Sequence, residues 1–408
     1  MENYDVIVVG AGPGGSTAAA YLGRSGFNVL LLDKAKFPRD KICGDAVSGK
    51  SMNVIKEFAL EEEIQKDARH GNIYGVIFSG TDGKTVEIPF AAAKDKGRPP
   101  GYTLPRIATD NILFQNAKKY AKVKEGFAMS DVIFENGYAV GVKGRDMAEG
   151  KEMEFRAKVV VGADGAGSIV ANKAGVGALA PEHACIAIRA YYEGISGMTD
   201  NIEIHFVKEA MPGYFWIFPI GEGKANVGLG ILMKDVQEKK MNLPALLERI
   251  VAQNANFAPR FANAKKVSSV QSWTLPFGSK IRKAHGNGWI LVGDAASLID
   301  PFSGEGVGNA TASAKIAAKI IAGALKENNF SESYFAQYQS EMEAALKPEL
   351  QTSYMLQKLG RQEWLLNFII GKAHKSEKVR ETLSAMLGSE EAKKEFASPV
   401  FYLKMLFA

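Results

Sequence analysis

The residues with the clearest chemical potential are three glycines and an acid near the start of the chain. Gly10, Gly12 and Gly15 form the pattern G-x-G-x-x-G directly after the apolar run of residues 4–9. Asp33 ends the next apolar run, 18 positions after Gly15 (33 minus 15), close to the roughly 20 positions expected for an acid that binds ribose hydroxyls. A strand, a glycine turn and a helix in this order predict a dinucleotide site, because N–H groups at the helix start attract phosphate.

Two further acids stand in glycine-flanked turns after apolar runs. Asp164 lies in Gly-Ala-Asp-Gly, and Asp294 follows Gly293 after the apolar run 289–292. The segment 303–306, Ser-Gly-Glu-Gly, precedes a helical pattern, and such a helix exposes its first N–H groups to a ligand. The alternative for Asp164 is an ordinary turn at the end of a strand.

Cys43, which carries a reactive thiol, and Arg106, which carries a charge, each have two interpretations. Cys43 lies in a polar loop, Cys-Gly-Asp, where a lone cysteine is often only a small buried apolar residue. The functional alternative is a thiol near a redox centre that donates a proton or shapes the pocket. Arg106 precedes a helical pattern and either pairs with a cofactor phosphate or remains a solvated charge.

An aromatic cluster occupies one strand-like run in the middle of the chain. Tyr214, Trp216 and Phe218 alternate with Phe215, and Pro219 follows. Alternation along a strand sends the first three to one face and Phe215 to the other. They form either the hydrophobic core of a sheet or a wall of an apolar substrate cavity, whose polar groups are the tyrosine hydroxyl and the indole N–H.

Composition restricts the class of protein and its partners. The chain has 408 residues, a formal charge of +5, 46% hydrophobic residues and 23% charged residues, which is typical of a soluble globular protein of one or two domains. Nucleic acid is not the expected partner, since no Lys/Arg block stands out. Cys43 and Cys185 give neither a disulfide framework nor metal-ligand spacing. With no evident signal peptide or spanning segment, we expect a cytoplasmic protein, with peripheral contact to the inner face of the membrane left open.

The elements that must position these residues alternate between two patterns. Strands and helices alternate at both ends, whereas the middle is strand-rich apart from one short helical run, which indicates an inserted sheet that carries the substrate. The predicted division is residues 1–70, 101–180 and 276–325 for a discontinuous nucleotide-binding domain, 71–100 and 181–275 for the antiparallel-sheet substrate domain, and 326–408 for a helical C-terminal region. The last region includes the apolar segments WLLNFIIG and PVFYLKMLFA, which either pack on their own domain or contact a membrane.

Taken together, the three turn segments resemble those of FAD-containing proteins with the para-hydroxybenzoate hydroxylase fold. The resemblance implies an α/β (α+β overall) protein with a Rossmann-like FAD-binding domain. Within that fold, Lys-Ile-Cys-Gly-Asp at 41–45, the run 214–219 (Tyr-x-Trp-x-Phe-Pro) and Val-Gly-Leu-Gly at 227–230 look like the geranylgeranyl reductase family, which saturates isoprenoid double bonds. The chain has Ile42 where that family often has proline, and Asp33 where glutamate is common.

The resemblance assigns roles to individual residues. The implied FAD-binding residues are Gly10, Gly12, Gly14, Gly15, Asp33, Lys34, Cys43, Gly44, Arg106, Asp164, Gly293, Asp294, Pro301, Gly304, Gly306 and Val307. The implied substrate-binding residues are Tyr214, Trp216, Phe218 and Pro219. Cys43 is also the candidate catalytic residue, as proton donor, and no metal is expected.

The implied activity is the FAD-dependent reduction of C=C bonds in a prenyl chain, with NADPH or reduced ferredoxin as the electron donor. Three alternatives stay open at this point. The first is a monooxygenase or halogenase of the same fold, and the second is an electron-transfer dehydrogenase that would need an external iron-sulfur partner. The third is a flavin-binding redox sensor without turnover.

Overall fold

The computed structural model describes residues 3–47, 49–90 and 99–388. The strands in chain order are β1 (Asn3–Val9), β2 (Val29–Asp33), β3 (Ala46–Val47), β4 (Gly71–Ile73), β5 (Gly75–Ser79), β6 (Thr85–Pro89), β7 (Gly101–Thr103), β8 (Lys122–Glu125), β9 (Phe127–Glu135), β10 (Tyr138–Asp146), β11 (Glu152–Gly162), β12 (Ala184–Glu193), β13 (Asn201–His205), β14 (Tyr214–Ile220), β15 (Lys224–Leu232), β16 (Lys265–Lys266), β17 (Gln271–Pro276), β18 (His285–Gly286) and β19 (Trp289–Leu291). The helices are α1 (Pro13–Arg24), α2 (Lys50–Glu57), α3 (Glu61–Lys66), α4 (Arg106–Lys118), α5 (Ile169–Lys173), α6 (Met233–Glu238), α7 (Leu243–Gln253), α8 (Ala258–Phe261), α9 (Val307–Glu327), α10 (Glu332–Leu359), α11 (Glu363–Lys375) and α12 (Glu377–Gly388).

The first sheet brings together strands from residues 3–162 and from residues 285–291. Its order is β18-β19-β11-β1-β2-β8, and β1 runs parallel to both β2 and β11. The hairpin β9–β10, with Asn136 and Gly137 at positive φ in its turn, joins the sheet through β11. β1 and β2 are buried along most of their length, as expected for parallel strands covered on both faces. The glycine turn and the acids of the sequence patterns therefore lie where these strands end.

Gly15 shows why the first strand and the first helix need a glycine. A Cβ at this position would collide with the carbonyl of Gly10 and would lie 3.1 Å from the Cβ of Ala163. No other residue type leaves room for α1 to pack so closely on the loop after β1. The glycine pattern is thus a packing requirement as well as a ligand-binding pattern.

The second sheet contains most of the strand-rich middle of the chain. Its order is β16-β12-β15-β14-β13-β5-β6, with β17 also paired to β12. The pairs are antiparallel except for β5 with β13, which run parallel. α7 covers one face, where Phe215 and Ile217 pack against its leucines, and the opposite face is turned toward the first sheet and its loops. β4 does not join this sheet, since it pairs with β7 in a three-stranded sheet with β3.

The C-terminal helices pack against both sheets. α10 lies along α9, and α11 and α12 contact β6. In the apolar segment WLLNFIIG, Leu365, Leu366, Ile369 and Ile370 are buried in the protein's own core, as the intramolecular interpretation predicts. The segment PVFYLKMLFA lies outside the described residues. Within the described parts of the chain, every helix is too short or too polar to cross a bilayer.

The predicted fold class is confirmed, because a mixed α/β unit, an inserted sheet and a helical C-terminal region are all present. The predicted domain boundaries stay a prediction.

Replacement of Gly15 by alanine should destabilise the protein by about 1–3 kcal/mol, because overpacking must push α1 off the first sheet. Gly371 is the matched control: it lies inside α11, and no described atom comes within 4 Å of an added Cβ, so Gly371→Ala should leave stability unchanged or improve it slightly. Urea unfolding followed by circular dichroism measures both. Equal stabilities of the two variants would contradict the packing argument.

Candidate functional site

Two helix N-termini lie side by side at the end of the first sheet. α1 begins after Gly12, has Pro13 in its first turn, and is capped by no side chain of the described residues. α9 begins after Gly306, and a Cβ on Gly14 of α1 would lie 3.5 Å from the carbonyl oxygen of Ala310 in α9. The first N–H groups of α1 are thus available to an anionic ligand.

Glu305 binds one of the main-chain N–H groups at the start of α9. Its carboxylate accepts a hydrogen bond from the main-chain N–H of Gly308, and burial raises the pKa of this carboxyl above its usual value. Next to it, the Tyr214 hydroxyl donates to the Ser303 carbonyl at 3.1 Å, and a Cβ on Gly304 would lie 3.1 Å from that hydroxyl. The segment 303–306, which contains two of the predicted FAD-binding glycines, therefore touches the aromatic strand β14.

The three predicted acids have different surroundings. Asp33 is buried and accepts from the N–H groups of Ala11 and Ala35 at 2.7 and 2.8 Å. Asp294 accepts from Lys41 Nζ at 3.0 Å. Asp164 accepts from the first residues of α5, at 2.7 Å from the N–H of Ile169, so its observed contacts are those of a helix cap, as the alternative of an ordinary turn predicts.

Other predicted FAD-binding residues lie along the same edge or at its margin. The Gly293 N–H donates to the Ser313 hydroxyl at 3.1 Å, and the Pro301 carbonyl accepts from Gln357 of α10 at 2.7 Å. Val307 begins α9, and Lys34 is exposed. Their roles stay predictions.

Arg106 is not a solvated charge, so that interpretation was wrong. It is the first residue of α4, is 4% exposed, and donates to Asp110 at 2.8 Å. Its positive charge also lowers the pKa of the Cys43 thiol, against the effect of burial. Burial alone would raise the pKa of Asp110, but Arg106 lowers it below its usual range. Residue type gave no indication of this because the partner carboxylate lies one helical turn away, inside the protein.

Cys43 lies in the loop between β2 and β3, where this loop meets the second sheet. Burial raises the pKa of its thiol, although Arg106 acts in the opposite direction. Its carbonyl accepts from the Asn226 side chain of β15 at 2.7 Å. A Cβ on the adjacent Gly44 would lie 3.0 Å from the ring of Phe218, so the loop can approach the aromatic strand this closely only with glycine there.

The second sheet places its aromatic side chains in rows across three strands. Tyr191, Asn226 and Phe218 are neighbours in one row, and Arg189, Gly228 and Trp216 in the next. A third row holds Ala187, Gly230 and Tyr214, and continues to Trp273 on β17. Tyr214, Trp216 and Phe218 thus share one face, called here the aromatic face, as strand alternation predicts.

The glycines of Val-Gly-Leu-Gly accommodate the tryptophan. A Cβ on Gly228 would collide with the Trp216 indole, and the indole N–H donates to Asn226 at 2.9 Å. The two motifs of the sequence are therefore one structural unit, in which small residues on β15 receive the large ring from β14.

Several residues of the site were missed by sequence reasoning. Arg39 pairs with Asp110 and would lie 3.7 Å from a Cβ on Gly12, so it stands over the glycine turn. Lys41 pairs with Asp294 and lies 5.6 Å from the Trp273 ring centre. The sequence signal that could have indicated these residues is the series of Lys and Arg side chains spaced two or three positions apart after Asp33.

The arrangement fits FAD on its own geometry. The uncapped start of α1, the open space beside Gly12 and the guanidinium of Arg39 suit a pyrophosphate. Buried polar atoms at the edge of the site, Trp273 Nε1 and Ser297 Oγ, have no partner among the described residues, and buried groups of this kind normally bind something. The residues present can therefore hold the cofactor.

The comparisons with known proteins agree with this geometry. The sequence profile of the FAD binding domain family matches residues 3–352. A digeranylgeranylglycerophospholipid reductase of Methanococcoides burtonii is 33% identical over 362 residues, which cover 87% of this chain and 84% of that protein. The chain belongs to the geranylgeranyl reductase family.

Solved structures extend the family assignment to the whole fold. A geranylgeranyl bacteriochlorophyll reductase-like protein from Thermoplasma acidophilum superposes with a TM-score of 0.84 at 26% identity, covering 97% of this chain and 98% of that one. The flavin-dependent brominase Bmp2 reaches 0.78 at 23% identity over 95% and 94%, which shows a shared fold only. This member of the family is an FAD-dependent oxidoreductase, so the predicted cofactor and enzyme class are confirmed.

Arg39→Ala should weaken FAD binding about tenfold or more, because it removes a charge-assisted contact over the pyrophosphate turn. Arg24→Ala is the control, since Arg24 pairs with Glu57 at the other end of α1. Calorimetric titration of each apoprotein with FAD measures the change. An unaltered affinity of Arg39→Ala would remove Arg39 from the cofactor site.

Proposed function

We propose that the protein reduces C=C bonds of a prenyl chain. The observation that carries the proposal is the meeting of the loop that holds the half-buried Cys43 with the aromatic face, where Gly44 approaches Phe218 and Asn226 holds the Cys43 carbonyl. An isolated alkene has no carbonyl to polarise. Its reduction therefore depends on positioning a long apolar chain in a dry cavity and on a proton source.

The substrate class follows from the chemistry of the second sheet. Tyr214, Trp216 and Phe218 form an aromatic patch in which Tyr214 and Phe218 are partly exposed, and aromatic surface suits a prenyl chain better than a charged metabolite. The names of the relatives support a geranylgeranyl-type lipid. Peripheral contact of the protein with the membrane that holds such a lipid is part of this proposal.

Cys43 is the proposed proton donor. When bound and reduced, FAD supplies two electrons as hydride to one alkene carbon. The Cys43 S–H bond breaks, its proton goes to the other carbon, and the thiolate left behind is stabilised by the guanidinium of Arg106. Burial keeps the thiol protonated before the reaction. Either NADPH supplies a new hydride, or two reduced ferredoxins supply two electrons and solvent supplies the accompanying proton, and a second proton from solvent restores the Cys43 thiol.

The test is an anaerobic single turnover. The holoenzyme is reduced with dithionite and mixed with a digeranylgeranylglycerophospholipid in detergent, and flavin absorbance and product mass are followed. We expect reoxidation with a gain of two hydrogens per reduced bond, and no reoxidation by the saturated lipid with the same head group. A flavin that stays reduced until oxygen is admitted would favour the monooxygenase or halogenase alternative.

Cys43→Ala should slow this reoxidation about 100-fold or more, because a positioned general acid contributes about that factor. Cys43→Ser should retain part of the rate, since a hydroxyl also carries a proton. Cys185→Ala is the matched control: Cys185 packs with Phe277 and Ile299 and should leave the rate close to that of the wild type. A wild-type rate in Cys43→Ala would show that the thiol is not the donor.

A further inference from the structure

Asp45 is a buried carboxylate for which the proposed reaction has given no use. It is fully buried and its φ is 69°, a left-handed conformation that is uncommon for a residue other than glycine. Burying a carboxylate costs free energy unless donors surround it. A residue that combines both costs lies at a functional site more often than elsewhere.

Three donors from different parts of the protein converge on Asp45. The Tyr191 hydroxyl and the Asn226 amide each donate to Oδ2 at 2.7 Å. The main-chain N–H of Arg106 donates to Oδ1 at 3.1 Å. Tyr191 and Asn226 are neighbours across β12 and β15 of the second sheet, whereas Arg106 begins α4 on the FAD side.

The same residues also fix the Cys43 thiol. Burial raises the pKa of the Cys43 thiol, and both the Arg106 guanidinium and the main chain of Asp45 lower it. The Asn226 amide reaches both the Cys43 carbonyl and the Asp45 carboxylate. A displacement of the Asp45 carboxylate therefore moves the thiol relative to the aromatic face.

We propose that Asp45 is a positioning residue whose ionised carboxylate, held by Tyr191, Asn226 and the Arg106 main chain, sets the Cys43 thiol in place for proton donation. The proposal rests on the proposed function and adds a charge requirement to it. The ionised form accepts all three hydrogen bonds at once. A proton on Oδ2 would require the Tyr191 hydroxyl to turn and accept, and a proton on Oδ1 would compete with the Arg106 N–H.

The proposal gives a direction for the pH dependence. Burial raises the pKa of Asp45 to about 6, opposed by Asn226, Tyr191, Arg189 and Arg106. Arg189 stacks on the Tyr191 ring at 4.2 Å and pairs with Asp40, and Cys43 is the remaining titratable group that faces the carboxylate. As the pH falls through this value, Asp45 takes up a proton and the thiol loses its fixed position.

The first test is the pH profile of the single-turnover reoxidation, measured between about pH 5 and pH 8. The wild-type rate should fall about tenfold per pH unit below about pH 6. Asp45→Asn keeps a residue type that tolerates positive φ but removes the titration, so its rate should be lower at pH 8 and should no longer depend on pH in the acid range. Asp131→Asn, which changes a partly exposed carboxylate on β9 that pairs with Lys143, should behave as the wild type.

A second variant separates positioning from a general loss of structure. Tyr191→Phe removes one donor from the ionised carboxylate, so the acid limb should move to higher pH by about one unit. If Tyr191 had a purely structural role, Tyr191→Phe would lower the rate at every pH, and the acid limb of the pH profile would stay at the same pH. An acid limb that persists in Asp45→Asn, or one that does not move in Tyr191→Phe, would overturn the proposal.

A readout without turnover distinguishes this proposal from the proposed function. In a Cys185→Ala background, Cys43 is labelled with dithiodipyridine at several pH values. The labelling rate of the variant that also carries Asp45→Asn is divided by the labelling rate of the Cys185→Ala protein. This ratio should be constant at low pH, where residue 45 is neutral in both proteins. It should rise severalfold above about pH 6, where Asp45 is ionised. A ratio independent of pH would overturn the role of Asp45 even if the lipid is reduced. A changing ratio in a protein that reduces no prenyl lipid would instead count against the proposed function alone.

Discussion

The buried amide of Asn226 connects the two parts of the site. Its Nδ2 donates to the Cys43 carbonyl and to the Asp45 carboxylate, both at 2.7 Å, and its Oδ1 accepts from the Trp216 indole at 2.9 Å. Both N–H groups of one amide are thus used by the loop that holds Cys43 and Asp45, and its oxygen is used by the aromatic strand. Because an unpaired buried polar group costs more than a hydrogen bond contributes, these contacts are kept or lost together. The position of the thiol relative to the aromatic face depends on them.

The surrounding sequence follows from this constraint. The loop must approach β14 closely, which requires Gly44 beside Phe218, and the indole must lie flat on β15, which requires Gly228. Asp45 accepts a left-handed backbone so that its carboxylate points to the sheet. On the other side, the uncapped start of α1 leaves main-chain N–H groups that attract a phosphate.

The parts of the structure that could be predicted from the sequence are those specified by short-range patterns. The glycine turn, the acid at Asp33 and the one-sided alternation of Tyr214, Trp216 and Phe218 each depend on neighbours within one element. Asp45 could not be predicted in this way, because its partners Tyr191 and Asn226 lie 146 and 181 positions away. The interpretation of Arg106 as a solvated charge was wrong for a related reason. The sequence places this residue before a helix, but only the packing shows that its side chain is buried.

The most direct measurement is a crystal structure of the oxidised holoenzyme with an unsaturated prenyl lipid. The account predicts that the chain lies along the aromatic face, with an alkene carbon within about 4 Å of Cys43 Sγ, a van der Waals contact distance, and between that sulfur and the flavin. A lipid bound away from Tyr214, Trp216 and Phe218, or a Cys43 thiol separated from the alkene by protein atoms, would contradict it.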